Sequence, residues 1–317
     1  MKQLQLGGLA VSAEGLGCMG MSSVYGDADW DESLATIRRA IELGVTHIDT
    51  ANAYGQGHNE VLVGRALAGR RDEATIATKA GMDFTTGRGK LVINNDPDYI
   101  KAAADASLLR LGTDRIDLFY LHRVNPGIPL EESVGAMSEL VAEGKVRHLG
   151  LSEVSGEQLR TAYGVHPIAA VQSEYSLWTR DPEMTVVDAA KELGVGLVAY
   201  APLGRGFLTG TVDAGTLAAN DGRRRLARFT KEAAAANQRI AAAVQKVAEA
   251  KKATAGQVAI AWVAAQGERL GLPVVPIPGT KRVKWLEQNA AALDAALTAD
   301  DLATLEALAA QVVGARY

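Results

Sequence analysis

Short apolar runs alternate with longer amphipathic stretches from one end of this chain to the other. Runs at 11–17, 45–49, 74–79, 116–122, 146–151, 168–173, 195–200 and 272–277 have the length and apolar content of strands. Between them, apolar residues recur at helical spacing over stretches such as 31–43, 59–67, 97–111, 130–143 and 182–193. Gly44, Gly112, Gly144 and Gly194 follow the last apolar turn of their helices, where a left-handed stop is expected. Eight strand-then-helix units predict an α/β fold, a (β/α)8 TIM barrel spanning 1–317 as one domain, with an open doubly wound sheet as the alternative. Ahead of the barrel, 3–6 and 9–13 flank Gly7 and Gly8 and predict an N-terminal β-hairpin that caps the barrel bottom. A long polar loop rich in Gly and Arg, 204–230, follows the seventh strand, and an extra C-terminal helix is expected over 299–312.

Composition narrows the class. With 317 residues, 48% of them hydrophobic and 22% charged, the chain can bury a large core. A net charge of -4 argues against a nucleic-acid partner, and Arg223 to Arg225 is the one basic cluster. Cys18 is the only cysteine, which excludes an internal disulfide and a cysteine metal cage. Neither a signal-peptide pattern nor a run of ~18 apolar residues is present, so a cytoplasmic protein without a membrane partner is expected. The five histidines, His47, His58, His122, His148 and His166, show no metal-ligand spacing, and no metal is expected.

Gly15-Leu16-Gly17-Cys18-Met19-Gly20 matches the dinucleotide pattern G-x-G-x-x-G, yet the polar stretch after it has no apolar period before Trp30. A tight strand exit is the preferred reading. Asp49, Lys79 and His122 close the second, third and fourth strands, and Tyr54 lies in the loop just after Asp49. On a barrel, such strand ends share one catalytic rim. A phenol is a weak acid, with a reference pKa of about 10, and an ammonium beside it stabilises the phenolate. Lys79 is placed to supply that charge, Asp49 to keep Lys79 protonated, and His122 to polarise a carbonyl oxygen held against Tyr54.

This set handles a proton and contains no hydride source, which points to a nicotinamide held by the later strands. Ser152 and Gln172 can hydrogen-bond a carboxamide, and Tyr200 can offer a flat ring for stacking. Gly204 and Gly206 permit close approach to a pyrophosphate. Ile277-Pro278-Gly279-Thr280-Lys281-Arg282 opens a helix, and its two cations suggest a 2′-phosphate, hence NADPH/NADP.

The motifs H-I-D-T-A-N-A-Y-G, L-G-T-D-R-I-D-L-F-Y-L-H, G-K-V-R-H-L-G-L-S, V-Q-S-E-Y-S-L, Y-A-P-L-G-R-G-F-L-T-G and I-P-G-T-K-R together resemble the aldo-keto reductase superfamily nearly end to end. Within it, the stretch from His166 to Glu183 resembles the microbial and plant branch of pyridoxal reductase-like and perakine reductase-like enzymes. The resemblance implies a catalytic tetrad of Asp49, Tyr54, Lys79 and His122, with Tyr54 the general acid of carbonyl reduction. It implies nicotinamide contacts at Met19, Asp49, Ser152, Gln172 and Tyr200, and pyrophosphate contacts at Pro202, Leu203, Gly204, Gly206 and Leu208. Adenosine phosphate contacts fall on Gly279, Thr280, Lys281, Arg282, Gln288 and Asn289. Many relatives carry Asn where this chain has Glu153, so either Ser152 and Gln172 suffice to hold the carboxamide or Glu153 points away. Arg223, Arg225 and Arg228 lie in the loop that folds over the cofactor in relatives. Trp30, Tyr25, Met82, Phe84, Trp178 and Arg123 are the candidate walls for a small-molecule carbonyl substrate. The rival readings are a cofactor-sensing regulatory subunit of the same fold and a Schiff-base aldolase using Lys79.

Overall fold

The alternation of runs resolves into strands β1 (Gln3–Leu6), β2 (Leu9–Ser12), β3 (Gly15–Gly17), β4 (His47–Asp49), β5 (Thr75–Ala80), β6 (Met82–Asp83), β7 (Val92–Ile93), β8 (Ile116–Leu121), β9 (Val146–Ser152), β10 (Ile168–Glu174), β11 (Gly196–Tyr200) and β12 (Val274–Ile277). The helices are α1 (Trp30–Glu42), α2 (His58–Ala66), α3 (Pro97–Leu111), α4 (Leu130–Ala142), α5 (Gly156–Val165), α6 (Pro182–Thr185), α7 (Val187–Leu193), α8 (Lys231–Lys251), α9 (Ala255–Leu270), α10 (Val283–Ala290) and α11 (Ala299–Glu306). These come from a computed structural model, which describes residues 1–22, 24–85 and 90–316.

Eight parallel strands stand in the order β3-β4-β5-β8-β9-β10-β11-β12. A parallel bridge from Gly17 to Gly279, with the Gly17 N–H donating to the Pro278 carbonyl at 3.3 Å, joins the last strand to the first and closes a (β/α)8 barrel. Strand alternation sorts the side chains. Ile48, Ile76, Phe119, Leu149 and Val171 face outward into one core with helices α1 to α5. Ala77, Leu118, Tyr120, Ala170, Val198, Val275 and Ile277 share a second core with Leu6, Leu9 and Val11 of the hairpin β1–β2. That hairpin is therefore the plug of the barrel bottom, as its sequence predicts.

Three elements depart from expectation. The single strand expected over 11–17 is two, β2 of the hairpin and β3 of the barrel, with fully buried Glu14 in the link between them. The helix expected over 182–193 breaks at Val186 into α6 and α7. The extra helix after the barrel ends at Glu306 rather than at 312. In the G-x-G-x-x-G stretch, Gly15 and Gly17 lie in β3 and Gly20 in a short turn, and the next α-helix begins only at Trp30. No helix among the described residues is long and apolar enough to cross a membrane.

Candidate active site

Four expected residues meet at the C-terminal rim of the barrel. Asp49 ends β4, Lys79 is the penultimate residue of β5, and His122 directly follows β8. The Lys79 ammonium is fully buried and donates to Asp49 Oδ1 at 2.5 Å, the Thr50 carbonyl at 2.8 Å and the Tyr54 hydroxyl at 3.2 Å. Tyr54 reaches it from a tight turn in which Gly55, Gln56 and Gly57 all take positive φ, a path that two glycines make affordable. The Tyr54 and His122 rings meet edge to face, 6.0 Å between centroids.

Burial pulls the Lys79 pKa down, but Asp49 and Tyr54 more than offset it, so Lys79 is held above the ordinary lysine value and stays an ammonium. For Tyr54, burial pushes the pKa up and outweighs the opposing pull of Lys79, which leaves the phenol protonated. Burial, with Lys79 and Arg123 adding to it, drives the His122 pKa well below its usual value. The imidazole is thus neutral near neutral pH, and its Nδ1 has no partner among the described residues. A protonated phenol backed by an ammonium, beside a neutral imidazole, can deliver one proton to an oxygen that gains negative charge.

The later strands bring their residues to the same rim. Gln172 on β10 donates to Asp49 Oδ2 at 2.7 Å across the barrel, so one N–H of its amide is engaged by the tetrad. Ser152, last residue of β9, accepts from Arg123 at 3.0 Å. Tyr200 ends β11, and its hydroxyl accepts from Arg316 at 2.9 Å. Glu153 takes a left-handed φ of 56° and spends its carboxylate on the Glu174 backbone N–H, at 2.9 Å, and on Arg316. Met19 lies half-buried in the turn after β3.

Pro202 to Leu208 form a turn after β11 in which Gly204, Arg205 and Gly206 have positive φ. The reason for Gly204 differs from the expected one: a Cβ there would lie within 2.6 Å of the Trp178 ring, so the indole rather than a ligand fills the space. Trp178 is accordingly no wall residue. It is buried and stacked on Phe207 at 5.0 Å, in the core beneath the turn. At the other end of the cleft, Gly279 and Thr280 follow β12, and Arg282 precedes α10 with its side chain exposed. Lys281 reaches over to the carbonyls of Tyr25, at 3.1 Å, Gly26 and Asp27. Lys281, Arg282, Asp27, Ala28, Asp29 and Glu32 line a cleft of about 360 Å³. Gln288 donates to Thr254 at 2.9 Å, and Asn289 beside it is buried.

Of the loop arginines, Arg223 lies over the Tyr25 ring at 5.3 Å and donates to the Arg205 carbonyl, Arg228 is buried against Trp178, and Arg225 is exposed. Trp30 is partly exposed against His58, while Met82 and Phe84 are half-buried. Sequence reasoning passed over Glu174 and Arg316. Glu174 carried a signal, a carboxylate ending a strand that opens on the apolar run Ile168 to Val171, whereas nothing in the sequence around Arg316 says where its arm lands.

The family model described as the Aldo/keto reductase family matches residues 15–310. Aldo-keto reductase yakc [NADP(+)] of Schizosaccharomyces pombe is 41% identical over 321 aligned positions, covering 99% of this chain and 93% of that protein. Among solved structures, a glycerol dehydrogenase from Gluconobacter oxydans superposes with a TM-score of 0.88 at 28% identity, covering 98% of this chain and 96% of the other. An aldo/keto reductase from Klebsiella pneumoniae in complex with NADP and acetate gives a TM-score of 0.71 at 29% identity, covering 97% and 94%.

Proposed function

The chain belongs to the aldo/keto reductase family, and we propose that it reduces an aldehyde or ketone to the alcohol with NADPH, Tyr54 giving the proton. The observation that carries this reading is the Lys79 ammonium held between the Asp49 carboxylate and the Tyr54 hydroxyl. As negative charge develops on a carbonyl oxygen beside Tyr54, the phenol proton moves to it, and Lys79 stabilises the phenolate left behind. Asp49 keeps Lys79 charged for that purpose. The neutral His122 ring offers an N–H to the same oxygen, which orients the carbonyl toward Tyr54. An ammonium so held opposes the aldolase alternative, which needs a neutral Lys79 amine.

The donor set fits NADP. Ser152 and the Gln172 carbonyl suit a carboxamide, the Tyr200 ring suits a nicotinamide face, and Met19 and Asp49 border that place. The turn holding Pro202, Leu203, Gly204, Gly206 and Leu208 suits close approach of a pyrophosphate to backbone, with the N–H groups of Gly204, Gly206 and Leu208 holding the turn itself together. Thr280, Lys281 and Arg282, with Gly279, Gln288 and Asn289 beside them, suit an adenosine bearing a 2′-phosphate. At the seam between β3 and β12, the facing Gly17 and Gly279 leave a strip of backbone bare of side chains. When bound, NADPH supplies the hydride that no side chain here can give.

The test is loss of nicotinamide absorbance when purified protein meets NADPH and a panel of aldehydes and ketones. Tyr54→Phe is expected to lower kcat by about 100-fold or more while NADPH affinity stays unchanged. Full activity in Tyr54→Phe, or no turnover of any carbonyl by the unaltered protein, refutes the reading.

A further inference from the structure

Beyond α11 the chain doubles back over the loop that follows β11 and is tied down residue by residue. The buried Asn237 side chain on α8 both donates to the Val313 carbonyl and accepts from its N–H, each at 2.9 Å. Arg239 donates to the Gln311 carbonyl at 2.8 Å, and Arg228 to that of Gly314 at 3.3 Å. Gly314 turns there with φ 96°, and a Cβ would press on the Ala227 and Arg228 backbone at 3.2 Å. The arm thus delivers Arg316 to one place, the ends of β9, β10 and β11.

There the half-buried guanidinium touches three acceptors among the described residues. It donates to Glu174 Oε2 at 3.1 Å, to the Glu153 carboxylate and to the Tyr200 hydroxyl at 2.9 Å. Glu174 is fully buried and also holds Arg205 at 2.7 Å. Two carboxylates joined through the Glu174 N–H would repel if unpaired, and a rigid planar cation with several donors is the group that can neutralise both and still reach a phenol. The phenolic oxygen lies at the far end of the ring's long axis, so a fixed partner on the hydroxyl pins that end and with it where the ring stands.

We propose that Arg316 is a positioning residue for the nicotinamide site: anchored on Glu153 and Glu174, it pins the hydroxyl end of Tyr200 and so places the ring against which the nicotinamide packs. This rests on the NADPH reading above. It also gives Glu153 a purpose, since a carboxylate where many relatives carry Asn is the arm's anchor. Arg316 touches no reacting atom, so its effect on the nicotinamide passes through the Tyr200 ring it contacts.

The experiment compares NADPH with adenosine 2′,5′-bisphosphate, which carries the adenosine end of the cofactor and no nicotinamide. Arg316→Ala is expected to weaken NADPH about tenfold, seen in Kd by fluorescence quenching and in KM, with kcat little changed and the bisphosphate Kd unmoved. Tyr200→Phe should give a loss of similar size, and the double variant no further loss, because both changes cut one link. Equal weakening of NADPH and the bisphosphate, strictly additive losses, or unchanged NADPH affinity in Arg316→Ala each overturn the Arg316 role while the reductase reading stands. Failure of the unaltered chain to bind NADPH overturns both.

Discussion

His47 lies in the barrel interior two residues before Asp49, fully buried, and neither of its ring nitrogens has a partner among the described residues. Burial lowers its pKa from 6.5 to about 4. In this window the unfolded chain takes up a proton that the folded one refuses, so stability is complete above the unfolded pKa and is lost as pH falls toward the folded value. Glu14, buried and raised well above its usual pKa, works in the opposite sense, so the effect is read as a difference between two proteins. From about pH 7 to about pH 5, the unaltered protein should lose about 2 kcal/mol more stability than His47→Gln, measured by urea midpoints. Equal losses would mean that the imidazole titrates freely. The neighbouring tetrad was legible because Asp49, Lys79 and His122 each follow an apolar run, and a strand end is visible in sequence. Arg316 was not, since its partners lie 116 to 163 positions away and depend on the path of the arm.

Helix packing carries a sharper test of why particular small residues stand where they do. Gly64 lies in α2, where Ala would ordinarily gain about 1 kcal/mol of helix propensity. A Cβ at Gly64, however, would come within 2.7 Å of the Leu111 carbonyl carbon at the end of α3, and backbone cannot step aside. The clash should win, with Gly64→Ala losing about 1 to 3 kcal/mol. Gly135 in α4 has nothing within 4 Å of its Cβ position, so Gly135→Ala should gain about 0.5 to 1 kcal/mol. Thermal melts of the two variants shifting in the same direction would refute the packing account. Such opposed glycines look alike in sequence, as do other features of the elements. The bounds of α3 were legible to the residue, from Pro97 to Leu111 before Gly112. By contrast α8 and α9 fell outside the helix candidates, because alanine covers all sides of α8 and blurs its apolar face. The break at Val186 has neither Gly nor Pro to announce it.

Across the whole molecule the two ends of the barrel divide the work. The rim carries the tetrad and its charged partners, which are costly to bury and held by one another. The opposite end is filled mainly by apolar side chains: Leu6, Leu9 and Val11 of the hairpin pack against Leu118, Ala170, Val198 and Val275. Leu6 is fully buried and packs over Gly196, where even a methyl group would overlap it. Conserving this plug matters for stability and not for chemistry, because strands β4, β5 and β8 hold the tetrad by their own register at the far end. Leu6→Ala should therefore lose about 2 to 5 kcal/mol in urea unfolding through the cavity it leaves. Its kcat, measured well below the melting temperature, should match that of the unaltered protein. A fall in kcat with the chain still folded would show that plug and rim are mechanically coupled through the strands, and the separation argued from the barrel would fail.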